Sequence, residues 1–197
     1  MRKSNVWGAV LVCSLFVLSS NAIAGGTLKL GIDSAGTVNF KDSNGTTTTK
    51  DYDVNSGMSI AMEGFGTAGN SVDFGGGIEF QTYREVKLAS GASGGSIQFV
   101  PIYLLMRLHP EMSDFTPYLA LQLGFSIFNA DDKFKGYSSS VTTAPGGHFG
   151  FGIGAVMNKS FLLELLVSND TGVVQVNGKN MVDVSYTKTI FSIGVNF

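Results

Sequence analysis

The sequence predicts an all-β fold, an eight-stranded antiparallel up-and-down transmembrane β-barrel. Three observations carry this expectation. Large apolar residues recur at every second position in eight segments separated by turn residues. The positions between them are mostly Gly, Ala and Ser, with isolated charges. The connections alternate between short and long. Composition agrees: of 197 residues, 26 are Gly and 14% are charged, against roughly 25% charged in an ordinary soluble domain. The 13 Lys and Arg against 15 Asp and Glu give no basic excess, so no nucleic-acid partner is expected.

Residues 1–24 read as a signal peptide and 25–197 as the barrel domain. Arg2 and Lys3 precede an apolar stretch, 6–18, shorter than the ~20 residues a spanning helix needs. Ser19-Ser20-Asn21-Ala22-Ile23-Ala24 ends in the A-x-A pattern of a signal-peptidase site, so the mature chain is expected to begin at Gly25. Cleavage removes Cys13, the sole cysteine, and leaves no disulfide to stabilise an exported fold. Val10-Leu11-Val12 before Cys13 lacks the small residue expected ahead of a lipidated cysteine.

The eight segments are 27–34, 57–65, 72–83, 96–108, 116–128, 147–157, 161–168 and 182–197. In the third, Val72, Phe74, Ile78 and Phe80 oppose Asp73, Glu79 and Gln81. In the fifth, Leu119, Leu121, Leu123, Phe125 and Ile127 oppose Tyr118, Ala120, Gln122, Gly124 and Ser126. The sixth sets Phe149, Phe151 and Ile153 against Gly150, Gly152 and Gly154. Alternation alone does not say which face points inward; size does. A water-facing strand gains nothing from so many glycines, whereas a narrow lumen needs small residues beside a few large ones. The apolar face is therefore expected to contact lipid. Gaps at 66–71, 109–115 and 158–160 are short; those at 35–56, 84–95, 129–146 and 169–181 are long. Short periplasmic turns and long extracellular loops are the pattern of outer-membrane barrels.

Three stretches resemble the small outer-membrane β-barrel proteins of the OmpA/OmpX and opacity type. They are Pro101-Ile102-Tyr103-Leu104-Leu105-Met106-Arg107-Leu108, Thr116-Pro117-Tyr118-Leu119-Ala120-Leu121-Gln122-Leu123-Gly124, and the terminal Ile193-Gly194-Val195-Asn196-Phe197. The resemblance covers essentially the whole mature chain. It implies residence in the outer membrane of a Gram-negative-type bacterium, in contact with outer-membrane lipid. It also implies that the barrel-assembly machinery reads Phe191, Ile193, Val195 and Phe197 as an assembly signal.

The inward face is expected to carry Glu63, Glu79, Arg107, Glu164 and Lys188 as a lumen ion-pair network, with Gln122, Lys29 and Asp33 beside them. Unpaired, each would cost several kcal/mol of desolvation. An eight-stranded barrel is just wide enough for its side chains to fill, so a plugged lumen is expected rather than a diffusion pore.

Asp51, Asp53 and Asn55 match the start of a D-x-D-x-N calcium loop, but Ser56 and Met62 stand where Gly and Glu belong. They are the sole metal candidates, and no cofactor is expected. His109 and His148 are the two histidines, and no G-x-S-x-G occurs, so no catalytic residues are assigned and the protein is not expected to be an enzyme. Gly150, Gly152 and Gly154 lie within one strand and have no following helix, unlike a nucleotide-binding turn.

The function expected is structural or surface-interacting, with host or surface ligands met through Ser/Thr/Asn-rich extracellular loops. The alternatives are a narrow channel or binder for small hydrophobic solutes, as in OmpW-like barrels, and a soluble lipocalin-like carrier.

Overall fold

The computed structural model describes residues 25–42, 50–68, 70–88, 90–136, 138 and 140–197. The signal-peptide reading, Cys13 included, lies outside them. The described chain forms β1 (Gly25–Asp33), β2 (Gly36–Asp42), β3 (Lys50–Val54), β4 (Gly57–Ala68), β5 (Val72–Gln81), β6 (Arg84–Lys87), β7 (Ser93–Leu108), β8 (Phe115–Ala130), β9 (Val141–Met157), β10 (Phe161–Val176) and β11 (Lys179–Asn196). β1 and β2 both pair with β11 and are two halves of the first wall strand. β3 with β4, and β5 with β6, make the second and third in the same way. β7 to β11 complete eight antiparallel wall strands, and the β1–β11 ladder, Thr27↔Asn196 to Asp33↔Ile190, closes the ring. Closure pairs the first wall strand with the last, so neither offers a free edge to lipid, where an unpaired backbone group has nothing to bond.

The wall divides into two levels. On the lower level, β1 buries Thr27, Lys29 and Asp33 and exposes Leu28, Leu30 and Ile32. β4 buries Ser59, Ala61 and Glu63 and exposes Met58, Ile60 and Met62. β8 exposes Leu119, Leu123 and Phe125 around buried Tyr118, Ala120 and Gln122. Polar inside and apolar outside is the facing a bilayer requires. Phe115, Phe161 and Phe197 are exposed at the periplasmic end, where aromatic residues form an interfacial girdle.

On the upper level the facing reverses. β2 buries Val38, β3 buries Val54 and β6 buries Val86, as a water-soluble sheet would. The first three wall strands achieve this by interruptions at 34–35, 55–56 and 82–83. Asp33 and Val38 both face inward, as do Gln81 and Arg84. Side chains alternate with period 2, so an odd step exchanges the faces. The remaining wall strands keep parity and change composition. On β7 the outward Leu104 and Ile102 give way to Gln98 and Ser96, while inward Arg107, Leu105 and Tyr103 give way to Phe99 and Ile97.

The expected long loops are thus mostly sheet. β2, β3 and β6 and the upper ends of β7 to β11 occupy much of 35–56, 84–95, 129–146 and 169–181. Their outer faces are rich in Thr, Asn and Asp, which reads as loop composition when the inner face goes unnoticed. At the periplasmic end, Asn158 and Lys159 turn β9 into β10 with φ of 50° and 60°.

A lipid-facing charge should separate the two levels. Leu123→Arg is expected to destabilise the barrel in vesicles by about 2–4 kcal/mol, the cost of a midplane charge. Thr142→Arg, exposed on β9 above the apolar band, should change stability by less than about 0.5 kcal/mol. Denaturant titration of folding into lipid vesicles measures both.

Candidate functional site

Side chains from all eight wall strands meet in the lower lumen. Lys29 Nζ lies 2.7 Å from Glu63 Oε1 and 2.7 Å from Glu164 Oε1. Arg107 pairs with the other Glu63 oxygen and lies over the rings of Phe65 and Tyr118, 5.0 and 5.1 Å from their centroids. Tyr103 donates its hydroxyl to Glu63 and Tyr118 donates to Glu164, each at 2.9 Å. Gln122 links this lower cluster to His148, its Oε1 lying 3.1 Å from His148 Nε2. His148 Nδ1 meets Asp170 Oδ1 at 2.7 Å. Lys188 reaches Asp170 at 3.1 Å and Glu79 at 3.5 Å. Gln81 donates to Glu79 at 2.9 Å and accepts from Arg84 at 3.3 Å. Arg84 then pairs with Asp33 beside the strand interruptions.

Several of the large side chains depend on a glycine at the paired position of the neighbouring strand. A Cβ on Gly77 would lie 2.8 Å from Glu63 Cγ and 2.8 Å from Tyr103 Cζ. One on Gly154 would lie 2.3 Å from Tyr118 Cζ. These contacts are the physical content of the small-residue face in the sequence.

Above the charged layer lies an apolar cap of Val38, Val54, Val86, Ile97, Phe99, Phe128, Ala130, Val184 and Tyr186. Phe99 stacks on Phe128 at 4.8 Å and on Tyr186 at 6.0 Å. Phe134, from the turn after β8, closes over the cap against Phe40 and Phe128. Asp131 holds that turn, accepting from Phe134 N–H at 2.7 Å and Ser96 N–H at 2.9 Å. Partial burial pushes its carboxyl up, but these donors outweigh it and hold it below the usual carboxylate range.

The structure brings Glu63, Glu79, Arg107, Glu164 and Lys188 into one connected cluster, with Lys29, Asp33 and Gln122 among them. Sequence reasoning missed Asp170 and Arg84, both assigned to loops. Asp170 was accessible from parity, being three alternate positions beyond Glu164. Arg84 was not, because the interruption at 82–83 changes its face.

Of the three metal candidates, two lie in strand β3 and the third follows its end. Asp51 and Asp53 lie in β3 and point outward, with Asp53 opposite Thr37 and Lys87. Asn55 donates to Glu85 at 3.2 Å. Asp51 and Asp53 thus share one outward strand face. Among the described residues no group of three or more His, Cys, Asp and Glu could hold a metal.

His109 lies 3.4 Å from Asp73, while the ring nitrogens of His148 meet Asp170 and Gln122. Neither contact supplies a serine nucleophile. Phe191, Ile193 and Val195 face outward on β11, and the Phe197 N–H donates to the Gly26 carbonyl at 3.0 Å.

The fold is that of the small outer-membrane β-barrels. The outer membrane protein OprG of Pseudomonas aeruginosa superposes with a TM-score of 0.52 at 16% identity, over 89% of this chain and 97% of that one. Outer membrane protein AlkL gives a TM-score of 0.49 at 13% identity, over 87% and 89%. The attachment invasion locus protein Ail of Yersinia pestis gives 0.47 at 11%, over 87% and 99%. No family model matches the sequence, and none of the curated proteins does.

Glu63 is the hub of the lower cluster. Glu63→Gln is expected to cost about 3–5 kcal/mol, because it leaves buried Arg107 without its carboxylate. Asp132→Asn, at an exposed pair 4.0 Å from Lys135, should cost less than about 1 kcal/mol. Urea titration in detergent micelles compares them.

Proposed function

We infer that the protein is an integral outer-membrane barrel with a plugged lumen, serving a structural or surface-interaction role through its extracellular side. The observation that carries this reading is the pair of layers inside the wall. A charged cluster drawing on all eight wall strands fills the membrane level, and an apolar cap with Phe99 1% and Phe128 2% exposed fills the level above. An ion would have to break paired charges and then cross a desolvated layer. Purified protein in planar bilayers should therefore give no stable conductance steps. Reproducible currents of porin size would contradict the plug.

The channel reading for small hydrophobic solutes draws on the same apolar cap. Uptake of an apolar fluorophore into vesicles carrying the protein would favour it over the plug.

Residues 1–24 act in this reading as a leader removed before Gly25. The alternating Phe191, Ile193, Val195 and Phe197 serve as the mark read by the barrel-assembly machinery. Deleting Phe197 is expected to lower folded barrel in cells several-fold while refolding in detergent changes little. Unchanged outer-membrane levels after the deletion would refute the signal.

A further inference from the structure

At the periplasmic mouth of the lumen, two buried polar groups each lack a partner of the kind they need. Asp73 is 6% exposed. Among the described residues no lysine or arginine pairs with it, since Arg107, its register partner, is committed to Glu63. His109 follows the end of β7, and its Nε2 is buried with no hydrogen-bond partner.

The backbone brings these two together. The His109 N–H donates to the Ser71 carbonyl at 3.0 Å, one step past the last β5–β7 pair, Val72↔Leu108. Positions 73 and 109 are then diagonal neighbours on the inner face of the sheet. His109 Nε2 lies 3.4 Å from Asp73 Oδ1.

The far side of the ring fixes the tautomer. Nδ1 lies 2.7 Å from the Pro110 carbonyl, and a carbonyl only accepts, so Nδ1 carries a proton. The neutral ring therefore turns the Nε2 lone pair toward a carboxylate. A positive charge between them relieves that repulsion, and the spacing distinguishes a proton from a metal ion. A charge-assisted N–H···O bond closes to about 2.7–2.9 Å. A nitrogen and an oxygen on one tetrahedral zinc, each about 2.0–2.1 Å from it, stand about 3.4 Å apart. Both donors are also braced as metal ligands are. Pro110 holds the ring N–H, and Thr67 donates its hydroxyl to Asp73 Oδ1 at 2.7 Å; such outer hydrogen bonds aim a ligating imidazole or carboxylate.

We propose that His109 Nε2 and the Asp73 carboxylate form a binding site for a zinc-type divalent cation at the periplasmic mouth of the barrel. The mixed nitrogen and oxygen pair suits zinc, whereas calcium and magnesium take oxygen ligands. Two protein donors hold the ion and water fills its other positions, so it exchanges with the periplasm. The Asp73 side chain, 9% exposed against 3% for His109, is the side from which it enters. Once bound, the ion ties β5 to the turn after β7. The site stands apart from the plug and does not depend on it.

The test titrates zinc chloride into the mature chain, free of any affinity tag and folded in detergent micelles. Calorimetry and nitrogen NMR of the histidine rings are the readouts. One zinc per chain is expected to bind and to move the His109 ring signals. Those of His148, whose nitrogens meet Asp170 and Gln122, should stay in place. Calcium chloride at the same concentration should move neither. His109→Gln and Asp73→Asn should each weaken zinc binding at least about tenfold, while Asp132→Asn, at the exposed pair with Lys135, leaves it unchanged. Heat-modifiable gel mobility verifies that each variant is folded. Zinc that binds both site variants as it binds the parent would overturn the site. So would parent His109 signals that zinc leaves unmoved. If those unmoved signals show both nitrogens protonated at neutral pH, the contact is a proton-bridged ion pair instead.

Discussion

A charge inside a narrow barrel has no water to retreat to, and every other feature of the lumen follows from that constraint. Glu63 is tolerable because Lys29, Arg107 and Tyr103 converge on it. Asp170 is tolerable because Lys188, His148 and Gln81 do the same. The partners come from different wall strands, so the ion pairs hold the staves in one register. Removing a charge and its partner together could leave stability unchanged, since buried pairs often no more than offset their desolvation. Each pair spans two wall strands, as Lys29 with Glu63 and Glu164 and Lys188 with Glu79 and Asp170 do.

The glycines are the steric counterpart of that pairing. Tyr118 and Tyr103 lean into the lumen over a neighbouring strand whose paired residue, Gly154 or Gly77, lacks a Cβ. Gly costs a strand conformational entropy, and here the packing of a large neighbour offsets the loss. The outer face of the wall is lined by half-exposed Leu, Ile and Phe.

Two solvents act on one continuous sheet. Below the interruptions the wall is an inverted protein with lipid outside; above them it is an ordinary one with water outside and an apolar cap within. The first three wall strands change solvent by an odd step in the chain, and the others by a change of residue type. The cap follows from the same hydrophobic effect as any soluble core, which is why Phe99, Phe128 and Tyr186 stack inside while Ser96, Gln98 and Asn129 lie on the outer side.

The sequence by itself determined the barrel class, the strand number, the lipid face and most charged residues of the lumen. All of these depend on a period of two and on side-chain size, which are local properties. Leu119 to Ile127 and Phe149 to Ile153 declare their face with no knowledge of neighbours. The tertiary structure alone decided what depends on register between distant strands. It joined Arg84 to Asp33 across an interruption that exchanges faces, and linked His148 to both Gln122 and Asp170. It also placed Asp51 and Asp53 in a strand, with Asn55 just beyond its end. No local pattern announces where a strand breaks or where a ladder stops, because both are settled by what the neighbouring strands require.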